Sequence, residues 1–190
     1  MKKFFKLPGF IFLVIKIAFL ALTLIFFGSC YLGYLLAETY PESVGKEIES
    51  LRDFLRSFSY EMSPFEIFLL IFLNNSIKSF VAMLLGVFFG IVPVLFVFLN
   101  GLIIGFFAKF IGSEIGIVTF ILLLLPHGIL EIPAVILACS YGFWLGAEFV
   151  RDRKNIKKHL SKAVFNFARF VLPMLLAAAF IETLLISFRL

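Results

Sequence analysis

Charge is scarce in this chain, and the few charged residues are unevenly placed. Only 15% of the 190 residues are Asp, Glu, Lys or Arg, whereas 62% are hydrophobic and 28 are phenylalanine. A soluble domain of this size is about half apolar. The excess, with a mean hydropathy of +1.10, excludes a water-soluble fold and leaves a polytopic membrane protein. Cysteine is limited to Cys30 and Cys139, both inside apolar runs, which points away from a disulfide framework and towards two small buried hydrophobes. There is no CxxC, no glycine-rich phosphate loop and no basic patch interleaved with aromatics. Those absences remove the usual signs of a zinc ribbon, a nucleotide-binding loop or a nucleic-acid-binding surface. The net charge of +5 reflects basic residues beside apolar segments, which is a feature of membrane topology.

The long hydrophobic runs give the organisation. About 20 apolar residues span a bilayer. A first run, 10–36, follows Lys2, Lys3 and Lys6. Its apolar stretch at 10–27 exceeds the 7–15 residues of a signal-peptide core, so it reads as an uncleaved first transmembrane helix, with Lys16 near enough to the end to snorkel. Residues 65–110 are too long for one crossing and must hold two, with Gly86, Gly90 and Pro93 as the turn or kink. "IGSEIG" at 111–116 reads as a short loop. Residues 117–150 are interrupted by "PHG" at 126–128, so a broken or re-entrant helix is expected around 117–128, followed by a full crossing. A last crossing covers 167–188. The fold expected is an all-α transmembrane bundle of about five crossings, forming a single membrane domain over 1–190.

Two connecting segments carry the charge. Residues 38–64 hold six acids against three bases, and 151–162, "RDRKNIKKHLSK", hold six Lys or Arg against one Asp. The positive-inside rule places the N-terminus and the 151–162 loop in the cytoplasm, the acidic segment outside, and the C-terminus outside. Val44, Ile48, Leu51, Leu55 and Phe58 alternate spacings of four and three, the pattern of an amphipathic helix. It suits a surface-lying helix or, through 44–58, a dimer seam. "SPFE" at 63–66 is a capping-box helix start.

Polar residues within the apolar runs are the candidate functional residues, because an ionisable group at the bilayer centre costs roughly 2.5–3.5 kcal/mol. In "LLLLPHGILEIPAVIL", His127 and Glu131 are four apart between Pro126 and Pro133, so they share one helix face. Asn74, Asn75 and Lys78 lie in the second run, Asn100 in the third and Glu182 in the last. Together they describe a buried polar centre that either ties helices together or binds an ion, proton or ligand. No cofactor is expected. A bound metal ion would take His127, Glu131 and Glu182 as its protein ligands, the basis of a minor hydrolase reading. Gly86–Gly90, Gly101–Gly105 and Gly142–Gly146 are GxxxG pairs, which mark close helix–helix approach within the chain or, second, in an oligomer.

These segments also carry a resemblance. "FLNNSIKSFVAMLLG", "NGLIIG", "PHGILEIPAVILA" with "GFWLG", and the late "IE" are similar to the stage II sporulation protein M family. The most specific piece is HGxxExxA, here His127, Gly128, Glu131 and Ala134. The likeness covers roughly 65–188, and the N-terminal helix with its acidic segment suits the same architecture. It implies a multi-pass protein of the cell membrane. The family is named for a role in bacterial sporulation, where its namesake works with envelope-remodelling partners, although relatives occur in organisms that do not sporulate. It supplies no established catalytic residues. The expected function is a non-enzymatic scaffold or envelope component in contact with membrane lipid, with other membrane or envelope proteins as candidate partners and no nucleic acid. A small transporter or ion-linked permease using the same polar residues is the alternative.

Overall fold

In lipid every backbone N–H and C=O must find its partner within the chain, and these apolar runs do so as helices. The computed structural model describes residues 8–41, 45, 46, 50 and 62–188; the side chains of 8–10, 126 and 127 lie outside that description. The helices are α1 (Pro8–Thr39), α2 (Pro64–Leu84), α3 (Ile91–Ile115), α4 (Ile117–Arg151), α5 (Ile156–Asn166) and α6 (Leu172–Ser187), with no strand among the described residues. Among the described residues five stretches are long and apolar enough to cross a membrane: Ile11–Thr39, Pro64–Val87, Ile91–Ile115, Gly128–Arg151 and Arg153–Ser187. The expected five-crossing all-α bundle is therefore the fold. The stripe at 44–58 falls mostly outside the described residues, apart from Gly45, Lys46 and Ser50.

Helix α4 is the central element. In its most apolar window 56% of residues are buried, against 17–28% in the other four crossings. One side of it, through Ala134, Ala138, Tyr141 and Leu145, packs with Met83 of α2, Ala163 of α5 and Leu175 of α6. The opposite side, through Ile136 and Cys139, packs with Leu22 and Phe26 of α1 and Val97 of α3. The outward surface is apolar as well: Phe12, Leu24, Phe65 and Val118 are each 67–75% exposed. In water such a surface would drive aggregation; against acyl chains it has no solvation cost.

The start of α2 shows how sequence sets local structure. The Ser63 N–H donates to Glu66 Oε2 at 2.7 Å and the Glu66 N–H donates to Ser63 Oγ at 3.3 Å. This is the reciprocal capping box expected of "SPFE", with Pro64 in the first turn, where no N–H is required. Ser63→Ala is expected to cost about 1 kcal/mol, read as a fall of about 2–4 °C in the melting temperature of the purified protein. Unchanged melting would show that the cap does not limit stability.

The turn expected near Gly86 and Gly90 is present. The chain leaves α2 through a 3-10 turn at Leu85–Val87, and Phe89 (φ 57°) and Gly90 (φ 72°) take left-handed conformations before α3 begins. Three expectations need correction. The interruption around 117–128 is not a break in the backbone, because α4 is helical throughout its 35 residues. Pro126 withdraws a single donor, and the rest of the ladder carries the helix past it. At ~1.5 Å per residue, α4 is about 50 Å long and exceeds the hydrocarbon thickness. "IGSEIG" is not a loop either: α3 continues to Ile115, and Gly116 alone, at φ 89°, separates it from α4. Finally, the basic 151–162 loop is a 3-10 turn, Arg153–Asn155, followed by the amphipathic helix α5. Its Ala163 and the following Phe167 are buried, and Leu160 packs against the same core. A π turn at Phe167–Val171 joins α5 to α6, just before Pro173, which has no N–H to offer the Arg169 carbonyl.

Candidate functional site

The glycine pairs set the frame in which the polar residues sit, and each GxxxG face is filled within the chain. A Cβ on Gly142 would lie 2.9 Å from the Met83 carbonyl oxygen and 2.8 Å from Pro93 Cγ. One on Gly146 would lie 2.6 Å from the Gly86 carbonyl oxygen. Helix α4 thus meets the end of α2 and the following turn backbone to backbone. On the other flank, a Cβ on Gly101 would lie 2.5 Å from the Phe26 carbonyl oxygen, and one on Gly105 2.8 Å from the Tyr34 nitrogen, which brings α3 against α1. Lys109 closes the far end of that contact with an ion pair to Glu38 at 2.8 Å.

Between these two contacts α4 carries Glu131, half-buried. It adjoins a cavity of about 40 Å³ shared with Asn100 of α3, Phe26 of α1, and Val97 and Val135. That volume suits roughly one water molecule or one small ion. The Asn100 amide donates to the Phe96 carbonyl at 2.7 Å, which fixes its side chain along α3. Glu131 of α4 and Asn100 of α3 therefore line one cavity, while Lys78 of α2 is exposed and Glu182 of α6 is half-buried.

The remaining candidates are placed otherwise. Asn74 is exposed on α2 and donates to Asn75 Oδ1 at 3.4 Å. The His127 backbone lies one helical turn before Glu131 in α4, and its side chain is outside the description. Among the described residues no three His, Cys, Asp or Glu side chains are grouped closely enough to hold a metal ion. Of the set His127, Glu131 and Glu182, only the two carboxylates are described. Cys30 and Cys139 are free thiols on α1 and α4.

A second polar cluster, at the opposite end of α4, is more tightly bonded. Glu148 is 2% exposed. Arg151 Nη2 donates to its two oxygens at 2.6 and 2.9 Å, and His159 Nε2 stands 3.6 Å away. The His159 ring meets the Trp144 ring edge-on, with centroids 5.5 Å apart. Asp152 accepts two bonds from Asn155 Nδ2, both at 3.0 Å. Mainly through those bonds, with help from His159 and Arg151, its carboxyl is held below the usual carboxylate range. The i, i+3 spacing of Glu148 and Arg151 was a visible signal for their pairing. Nothing in the local pattern marked the return of α5 that brings His159 against both. The Ser76 and Ser79 hydroxyls of α2 and Trp144 Nε1 are buried without a hydrogen-bond partner among the described residues.

Comparison with curated proteins and with solved structures gave no match. A family model described as Stage II sporulation protein M matches residues 11–185, which takes in all five crossings, both glycine contacts and both polar clusters. The signature read around "PHGILEIPA" and the fold agree with that match over nearly the whole length: the chain belongs to the Stage II sporulation protein M family.

Proposed function

We propose that this chain is a non-enzymatic scaffold of the cell membrane, associated with the envelope, in which Glu131, Lys78, Glu182 and Asn100 form a polar centre that fixes the relative positions of four helices. The observation that carries the reading is close glycine packing at two contacts, α4 against the end of α2 and α3 against α1, beside a cavity of about 40 Å³. Such packing favours one rigid arrangement over the two alternating ones that transport needs. The distribution of basic residues supports a cytoplasmic N-terminus and an outside C-terminus. Residues 44–58 provide the candidate surface for self-association, because the GxxxG faces are filled within the chain.

The competing reading, an ion-linked permease, draws on one observation: Glu131 adjoins a cavity within the bundle. Glu131→Gln separates the two. The amide keeps the size and hydrogen-bonding capacity of the side chain but cannot carry a charge or a proton through a cycle. The scaffold predicts that the variant assembles and complements a strain lacking the protein. It also predicts that the parent protein in liposomes dissipates proton and potassium gradients no faster than empty vesicles. Ion flux by the parent that is abolished by Glu131→Gln would overturn the scaffold and establish the permease.

A further inference from the structure

The basic end of the bundle contains a larger space than the polar centre. Where α5 folds back beneath the end of α4, a cavity of about 490 Å³ opens between Ile11 of α1, the 3-10 turn and α5. This is within the size range of small-molecule sites. Its wall carries Arg151, Lys158, Lys162 and His159 against one acid, Asp152. Two of these charges are already engaged: Arg151 holds the buried Glu148, and Asp152 accepts from Asn155 and faces His159 at 3.5 Å. Lys158 and Lys162, one helical turn apart on α5, have no carboxylate partner among the described residues. Asn155 adds a polar side chain at the rim.

We infer that this cavity binds the phosphodiester headgroup of an anionic phospholipid from the leaflet on the basic side, with Lys158 and Lys162 as its charge partners. Two like-charged ammonium groups held about one turn apart repel each other unless an anion lies between them, and a phosphate offers several acceptor oxygens to both. The lipid source follows from the apolar boundary of the site. Ile11 forms one wall, and Phe165 and Val164, on the same helix as the lysines, are 61% and 36% exposed. A bound headgroup therefore has acyl-compatible surface beside it, which a free anion would not use. A basic interfacial pocket between transmembrane helices is the physical setting in which anionic headgroups are held.

The test uses the full chain, purified and delipidated in a neutral detergent, with thermal melting followed as lipid is added. Short-chain phosphatidylglycerol is expected to raise the melting temperature by several degrees through preferential binding to the folded state. Phosphatidylcholine and inorganic phosphate at the same concentration should leave it unchanged. Lys158→Gln/Lys162→Gln should melt like the parent without lipid, because both side chains are exposed, and should lose most of the phosphatidylglycerol shift. An equal shift from phosphatidylcholine would overturn the proposal in favour of non-specific lipid cover. A full shift from inorganic phosphate would replace the lipid with a free anion. A shift retained in the double variant would remove the two lysines as the binding groups.

Discussion

Gly142→Leu is expected to leave almost no folded protein in the membrane fraction, and Gly142→Ala to melt well below the parent. The Cβ that alanine adds falls 2.9 Å from the Met83 carbonyl oxygen, 3.0 Å from Met83 Cα and 2.8 Å from Pro93 Cγ. Two of those atoms are backbone and cannot rotate away, so α4 must move from the end of α2. That displacement also disturbs Gly146 against Gly86, because both contacts lie on one face of α4. Overpacking of this kind costs about 1–3 kcal/mol, or roughly 2–10 °C in a chain of this size. Leucine adds three more carbons at the same point. Gly28→Ala on α1 is the matched control: nothing lies within 4 Å of its added Cβ, and replacing an exposed mid-helix glycine gains about 0.5–1 kcal/mol. The membrane-fraction yield of Gly142→Leu and the melting of purified Gly142→Ala and Gly28→Ala decide the matter. If Gly142→Ala melted with the parent, close approach of α4 and α2 would not be what holds the bundle.

That contrast also marks what could be read from residues alone. GxxxG spacing identified Gly142 and Gly146 as close-approach positions, yet it could not pair them with Gly86 and Gly90 over Gly101 and Gly105, since all three motifs look alike along the chain. The five crossings were legible because bilayer thickness fixes a length, and "SPFE" because a capping box is local. "PHG" and "IGSEIG" misled for a shared reason. Proline and glycine weaken a helix by amounts that packing overrides, so their presence alone does not locate a break. In the 151–162 segment the density of lysine and arginine obscured the spacing of Leu160, Ala163 and Phe167. Of the polar centre, the i, i+4 relation of His127 and Glu131 is a property of one helix. The meeting of Asn100 with Glu131 at one cavity is a property of the packing of α3 against α4, which no single-segment pattern contains.

Arg151→Leu is expected to destabilise the protein by about 3 kcal/mol, several times the effect of Lys109→Met, although the ion pairs removed are nearly equal in length. Arg151 reaches Glu148 at 2.6 Å and Lys109 reaches Glu38 at 2.8 Å. Burial separates them: the Glu148 side chain is 2% exposed, whereas that of Glu38 is 54% exposed. Once its cation is gone, Glu38 is simply solvated, and such exposed pairs are worth about 0–1 kcal/mol. Glu148 has no such escape. Its other neighbour among the described residues is His159 Nε2 at 3.6 Å, and stranding a buried carboxylate costs about 3–5 kcal/mol. The low end applies because Arg151 is itself 35% exposed, so solvent already screens part of the pair. If the penalty arises from the stranded charge, removing that charge relieves it. Glu148→Gln/Arg151→Leu should therefore recover most of the loss, giving a coupling of about 1–3 kcal/mol in a double-mutant cycle. Melting in neutral detergent, free of added lipid, keeps the measurement independent of any occupant of the basic cavity. Equal losses for Arg151→Leu and Lys109→Met, or additivity of the two changes at 148 and 151, would mean that the burial of Glu148 does not anchor the turn from α4 into α5. The orientation of His159 and the placing of Lys158 and Lys162 would then need another cause.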